Sequence, residues 1–401
     1  MMVEPAPHQN ITTDAELRQY CDELAQAESI GVDTEFVAEH TFRPVLCLVQ
    51  VAAAGRLAII DPLGIDDFTP FWETLARPGH VTIVHAGRGE VEFCLQAIGR
   101  FPAGLFDIQL AAGLVGLEYP AGYCTLVSRL LGDSLSKHET RTDWRRRPLT
   151  PRQIAYALDD VHYLHPLQAT LEARLAELGR REWMNEEMAA WEGEIHRAAT
   201  EERWWRVSGN ANLSGRGLAV VRELWRWRQA EAQRRDKPPR QILRDDLIIE
   251  LAKRQSADVK HIQALRGMEW GRLRSQITEI SQAIQRGLET PEKDFARRAY
   301  RDVPPQLAML GQFLSSALGS ICRQAHLSPN LVGTPSDVRE LILYRTTAAS
   351  DPEPPLLARG WRAEVVGRLF EDFLEGKKAI RIGDPMSEHP LVIEPVQGND
   401  E

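Results

Sequence analysis

Cysteine is scarce in this chain, and the few residues present show no pairing pattern. Cys21, Cys47, Cys94, Cys124 and Cys322 are spread over 401 residues, odd in number and without a C-x-x-C spacing. This argues against a disulfide framework or a thiolate zinc site and fits a reducing cytoplasm. Long apolar runs are missing too: no stretch approaches the roughly 20 residues of a membrane span. The opening MMVEPAPHQN lacks the basic and apolar regions of a secretion signal, so none is expected. An excess of positive charge is also absent. The net charge is −9, which speaks against a uniformly basic nucleic-acid binder. Local patches decide such binding, however. Residues 222–244 hold eight Lys/Arg against three acids, and residues 141–152 hold five Arg against one Asp.

What is present is an ordinary soluble composition, 43% hydrophobic and 26% charged, in a length that predicts two or three domains. Residues 1–170 alternate strand-like and helix-like stretches, which predicts an α/β domain with a mixed sheet. VLCLVQVA (45–52) and RLAIIDP (56–62) flank a short Ala/Gly turn and predict a hairpin. VTIVHAG (81–87) predicts a strand that turns into a helix. Thr150-Pro151 is a helix start, Thr as the cap and Pro in the first turn, and a long helix is expected from there. Beyond about residue 200 the strand signal stops and helices follow. PPRQILRDDLIIELAKR and SPNLVGTPSDVRELILYR share a pattern, a weak two-fold repeat of a small helical module.

Acids recur at three places. Asp33 and Glu35, in GVDTEF, follow a buried-looking run, and their spacing turns both to one side of a strand, about 7 Å apart. Like charges so placed either sit in water or hold cations. Glu90, at the strand–turn–helix corner HAGRGEVE, shares a helix face with Phe93, Cys94 and Ala97 and should point inward; its bland alternative is a favourable acid in a first turn. Tyr156 and Asp160 stand four apart on one helix face. Four carboxylates and a tyrosine suit two hard divalent cations, Mg²⁺ or Mn²⁺, which prefer oxygen ligands and at about 4 Å separation promote in-line phosphoryl displacement.

With these residues in place, the chain resembles the ribonuclease D family of DEDD-type 3′→5′ exonucleases, tyrosine subclass, with a ribonuclease H-like fold. VDTEFVAEHTFRPVLCLVQ (32–50), LAIIDPLGI (57–65), IVHAGRGEVEF (83–93), FDIQLAAG (106–113), TRTDWRRRPLT (140–150) and YALDDVHYL (156–164) carry the resemblance, in the family's order. It implies an exonuclease domain over residues 1–195, an HRDC domain over 204–289, a linker at 290–305, a second HRDC-like helical domain over 306–376 and a tail at 377–401. Asp33 would bridge both metals, Glu35 and Asp160 would hold the ion nearer the attacking water, and Tyr156 would orient that water. Glu90 stands where the family pattern has aspartate, a departure that puts the second metal position in question; Asp107 is a substitute ligand or, more simply, a helix cap.

The implied activity is trimming of RNA 3′ ends, tRNA precursors by family, with release of 5′-mononucleotides. No small-molecule cofactor and no membrane are implied. Phe36, Thr41 and Gln50 either contact the terminal nucleotide or simply pack. Among the basic residues, Arg145 and Arg147 beside the site, and Arg222, Arg226 and Arg228 on the Trp/Arg-rich helix, are candidates for phosphate. Two other readings remain at this point: a DNA exonuclease of the same fold, and a nucleic-acid-binding protein whose nuclease site has decayed.

Overall fold

The computed structural model describes residues 5–135, 142–268, 271–295, 305–346 and 354–396. The chain divides into two compact units, one of residues 1–34, 48–195 and 302–401, the other of residues 35–47 and 196–301. Among the described residues no helix is long and apolar enough to cross a membrane.

The first unit begins with β1 (Gln9–Ile11), α1 (Asp14–Leu24), β2 (Ser29–Val37), β3 (Val45–Ala53), β4 (Arg56–Ile60), α2 (Thr69–Leu75), β5 (Val81–Val84), α3 (Arg88–Ile98), β6 (Leu105–Asp107), α4 (Ile108–Leu114) and α5 (Tyr123–Leu131). The strands form one mixed sheet in the order β1-β4-β3-β2-β5-β6. β3 and β4 are the expected antiparallel hairpin, whereas β1 with β4, β2 with β5 and β5 with β6 are parallel. At the hairpin turn Ala54 and Gly55 both take positive φ, 49° and 72°, as the tight turns that match strand twist require.

α6 (Pro151–His162) starts as expected, with a reciprocal cap between Thr150 and Gln153 and Pro151 in its first turn. It is not the long helix expected, because it stops at Tyr163, and α7 (Leu164–Glu177) follows on a new start. Pro166 explains the break: it has no N–H to give, and its ring would clash with the carbonyl of His162 in a continuous helix. α8 (Arg181–Thr200) runs on into the second unit.

The second unit is helical: α9 (Gly215–Arg235), α10 (Pro239–Ile242), α11 (Asp245–Arg254), α12 (Val259–Gln263), α13 (Gly271–Arg274) and α14 (Ile277–Glu289). Its core gathers Val220, Leu224, Ile248, Leu251, Ile280 and Ile284. α14 crosses α9 closely because residue 287 is glycine; a Cβ there would lie 2.6 Å from the Val220 Cα. The 35–47 segment belongs to this unit through its backbone. Phe42 N–H donates to Asp236 Oδ1 at 3.0 Å, and the Gln241 amide donates to the Glu39 carbonyl at 3.2 Å. Of the expected linker at 290–305, residues 292–294 form a short turn and 296–304 lie outside the described residues.

The remaining elements, α15 (Pro305–Gln324), α16 (Pro329–Val332), α17 (Pro335–Thr346), α18 (Gly360–Arg362), α19 (Arg368–Leu374), β7 (Lys378–Ile382) and β8 (Leu391–Pro395), return to the first unit. The two similar sequence stretches fold alike locally, each a short helix (α10, α16) before a longer one (α11, α17). Residues 377–401, expected as a tail, instead include the antiparallel hairpin of β7 and β8. The C-terminal helices share the sheet domain's buried core: Leu318, Cys322, Leu331, Ile342 and Phe370 belong to one cluster with Leu114, Val161 and Leu171.

Two buried arginines join the same parts. Arg180, at the foot of α8, donates to the carbonyls of Leu114 (2.6 Å), His326 (2.7 Å) and Ala325. Arg362 forks onto Glu187 at 2.6 and 2.9 Å and donates to the carbonyls of Val332 and Leu331. Between them Trp183 and Trp361 stack with centroids 5.3 Å apart. Removing one partner of a buried pair strands the other charge. Arg362→Met is therefore expected to lower stability by about 3–5 kcal/mol in urea unfolding, and a second change, Glu187→Leu, should recover a good part of that loss.

Candidate active site

Strand β2 presents the first two acids. Alternation sends Ile30, Val32 and Thr34 to one face, all buried, and Gly31, Asp33 and Glu35 to the other. The unit boundary falls between Thr34 and Glu35, but the strand is continuous through it. Gly31 allows the start of α7 to lie close: a Cβ there would sit 3.1 Å from Leu164 Cδ1 and 3.5 Å from Ala52 Cβ. That contact identifies the Asp33 face as the one under α7, and α6 ends immediately before it.

Asp160, in the last turn of α6, completes a trio. Single carboxylate oxygens of Asp33, Glu35 and Asp160 all lie within 4.8 Å of one another, and each residue is half-buried. Burial pushes the Asp160 carboxyl up to about 7; the Tyr156 hydroxyl bonded to it pulls the other way, and neighbouring Asp159 adds to the rise. Tyr156 is one turn before Asp160, its ring 6.2 Å from that of Trp144. The donor set is oxygen throughout, which fits a hard divalent cation, and a cation would favour the charged form of Asp160 that burial disfavours.

Gln50 lies on the same face of the sheet. It lies on the β3 face of Ala52, hence on the side of Gly31 and Asp33, with 0% exposure. Neither of its amide atoms has a hydrogen-bond partner among the described residues. A buried amide seldom stays unsatisfied, so an ordered water is expected against it.

The trio does not include Glu90. This residue is buried as expected, but its carboxyl accepts from the Thr34 hydroxyl at 2.5 Å, and Thr34 leaves β2 on the face opposite Asp33 and Glu35. Burial raises the Glu90 carboxyl to about 7, the Thr34 bond opposing and the nearby Asp107 reinforcing the rise. Thr34 carried no expectation, although its place between two strand acids already turned it towards whatever α3 presents. Asp107 is the helix cap: 1% exposed, it accepts from the backbone N–H groups of Gly87, Gln109 and Leu110. His85 donates through Nε2 to the Ala121 carbonyl at 2.9 Å, and burial lowers its basicity, so it is a satisfied neutral residue under the corner.

The other candidates are more scattered. Phe36 is 41% exposed at the end of β2, and the Thr41 hydroxyl is buried without a partner among the described residues. Arg145 bonds Asp143 at 2.9 and 3.1 Å, and Arg147 forks onto Asp61 while also donating to the Trp144 carbonyl. On α9, Arg226 bonds both Glu202 and Glu223, Arg222 lies 3.8 Å from Glu223, and Arg228 is buried against Asp245 at 2.6 Å. Trp225 is half-buried and packs on the core.

Comparison with known proteins agrees with this layout. A 3′-5′ exonuclease family model matches residues 8–176, and an HRDC domain model matches residues 217–284. A ribonuclease D from Acidiphilium cryptum is 35% identical over 373 residues, covering 90% of this chain and 92% of the relative. One from Pseudomonas paraeruginosa is 32% identical, covering 94% of this chain and 100% of the relative. Among solved structures, Escherichia coli RNase D, described as an exoribonuclease involved in structured RNA processing, superposes with a TM-score of 0.80 at 27% identity, covering 92% of this chain and 99% of its own. The catalytic core of RRP6 from Trypanosoma brucei shares the fold, with a TM-score of 0.53 at 19% identity over 70% of this chain and 80% of its own. An acid-bearing sheet domain, an HRDC domain after it and relatives that match along nearly their whole length lead to one conclusion: the chain belongs to the ribonuclease D family of 3′-5′ exonucleases.

Proposed function

We propose that the protein trims RNA from the 3′ end by phosphodiester hydrolysis, releasing 5′-mononucleotides, with tRNA precursors as the substrate class and the cytoplasm as its compartment. The observation that carries this reading is the trio Asp33, Glu35 and Asp160 with Tyr156 beside it, in a chain whose relatives are named for a ribonuclease activity. Asp33, Glu35 and Asp160 would hold divalent metal, Mg²⁺ or Mn²⁺, two ions in full occupancy. Bound there, the cations supply Lewis-acid stabilisation of the phosphate charge and ease the loss of a proton from the attacking water.

The chain's own residues do the rest. The Tyr156 hydroxyl, held on Asp160, orients the water for in-line attack. Phe36 offers an exposed ring for the terminal base, and Thr41 and Gln50 offer polar atoms with no other partner among the described residues. Arg145 and Arg147 stand as phosphate contacts that would have to share with Asp143 and Asp61. The domain plan that goes with this reading is catalysis in residues 1–195, an HRDC domain over 204–289 and a second, HRDC-like module over 306–376. Glu90 is the weak point of the second metal position, since its carboxyl is engaged by Thr34.

Asp33→Asn should lower mononucleotide release from an RNA with a 3′ overhang by about 100-fold or more, and EDTA should abolish it in the wild type; release that survives both would sink the proposal. Glu90→Asp, with its shorter arm, should raise release at limiting Mg²⁺.

Glu90 also has a consequence for stability. Its folded-state carboxyl titrates near 7, above an ordinary glutamate, so the folded chain binds the extra proton. The contribution of Glu90 is greatest below about pH 4.3 and is lost as the pH rises through about 7. In urea unfolding with EDTA present, Glu90→Gln should gain on the wild type by on the order of 2 kcal/mol between pH 5 and pH 8.

A further inference from the structure

The loop that leads into α6 carries a guanidinium with little left to give. Arg147 forks onto Asp61, through Nε to Oδ2 and through Nη2 to Oδ1 at 2.6 Å. Its Nη1 donates to the carbonyls of Trp144 at 2.7 Å and Arg146 at 3.0 Å. An arginine has five N–H donors, so at least four are engaged within the chain. A phosphate at this residue would have to break a bidentate ion pair, the strong kind. The neighbouring Arg146 differs, its side chain 85% exposed and 3.8 Å from Asp143.

Both ends of the fork are fixed. Asp61 follows β4 directly; its N–H donates to the Ile11 carbonyl of β1 at 2.9 Å, and its carboxylate accepts from the Leu63 N–H at 3.1 Å. At the other end Trp144 is 3% exposed, its ring 6.2 Å from that of Tyr156 and tilted by 33°. The Gln153 amide ties the same loop to α6 by donating to the Thr142 hydroxyl at 2.9 Å. Tyr156 in turn bonds Asp160. The helix fixes the Tyr156 Cα, but the direction of the ring depends on what packs against it, and Trp144 supplies part of that surface. The contacts run from the sheet through Arg147 and Trp144 to Tyr156, all within the first unit.

We propose that Arg147 is a positioning residue: clamped on Asp61, it holds Trp144 against Tyr156 and so keeps the tyrosine hydroxyl where it can direct the attacking water. The inference rests on the exoribonuclease reading and gives Arg147 a task within it other than contact with an RNA phosphate. Small displacements matter for such a group, since a shift of about 1 Å can cost about 100-fold in rate.

The test measures kcat and KM for mononucleotide release from an RNA with a 3′ overhang, using the full chain with Mg²⁺. Beside it stands the ¹⁹F spectrum of the chain carrying 3-fluorotyrosine, in which Tyr156→Phe assigns one of seven tyrosine signals. Arg147→Met should lower kcat by about 10- to 100-fold, leave KM and its salt dependence unchanged, and move or broaden the Tyr156 signal. Arg147→Lys keeps the charge but not the planar fork, so its kcat should fall alike. In the Tyr156→Phe background, Arg147→Met should cost nothing further, because residues that act as a unit are not additive. Asp61→Asn enters the same clamp from its other end and should act in the same direction. Arg146→Ala should leave kcat and the Tyr156 signal as in wild type. Every variant is compared below its own thermal midpoint.

A KM that rises in Arg147→Met, with a salt slope smaller by about 1 and rescue by lysine, would make Arg147 a phosphate contact and overturn the proposal while the exonuclease reading stands. An unmoved Tyr156 signal, an undiminished loss in the Tyr156→Phe background, or the same shift in Arg146→Ala would overturn it as well. Wild type that releases no mononucleotides with Mg²⁺ or Mn²⁺ would sink the exonuclease reading instead, and the fluorine signal alone would then decide whether Arg147 holds Tyr156.

Discussion

Three carboxylates within 4.8 Å of one another, in a chain that is already negative, are what the rest of the site has to accommodate. Burial disfavours the charged state of such groups, and the Asp160 carboxyl, raised by burial and by its neighbour Asp159, is the visible result. The surroundings limit the problem without removing it. Gly31 lets α7 come close, so α6 ends where Asp160 can reach the strand. Tyr156 gives Asp160 a hydrogen bond. An oxygen-only donor set so closely placed is chemically suited to a divalent cation.

The same alternation that brings Asp33 and Glu35 together also separates Glu90 from them. Thr34, between the two acids, points to the far side of β2 and engages the Glu90 carboxyl there. An aspartate at this position would be one methylene shorter and less able to make that bond. Glutamate in place of the aspartate that the resemblance implies would therefore change the partner of the side chain as well as its length.

Much of this was legible from local signals. The β3–β4 hairpin, the Thr150–Pro151 helix start, the inward turn of Glu90 and the common face of Tyr156 and Asp160 all depend on neighbours within a few residues. The family motifs then brought distant segments into one site. What was not legible depends on partners far away in the chain. Arg226 and Arg228 read as a basic face, but Glu202 and Asp245, distant in sequence, neutralise them. The exit at Tyr163 could have been anticipated from Pro166, which the strong periodicity on both sides obscured. The β7–β8 hairpin arises from a stretch with little amphipathic contrast, its residues half-buried or exposed, so no alternating pattern marked it.

The join made by Arg180, Arg362 and the two tryptophans has a consequence for synthesis. The sheet domain leaves the ribosome first, yet the helices that complete its core come after residues 196–301. At about 5–20 residues per second those intervening residues take roughly 5–20 s to translate. Throughout that interval the nascent sheet domain lacks the C-terminal share of its core and carries a Glu187 still awaiting its arginine. A chain stopped before residue 302 would lack both that arginine and the apolar residues that close the core.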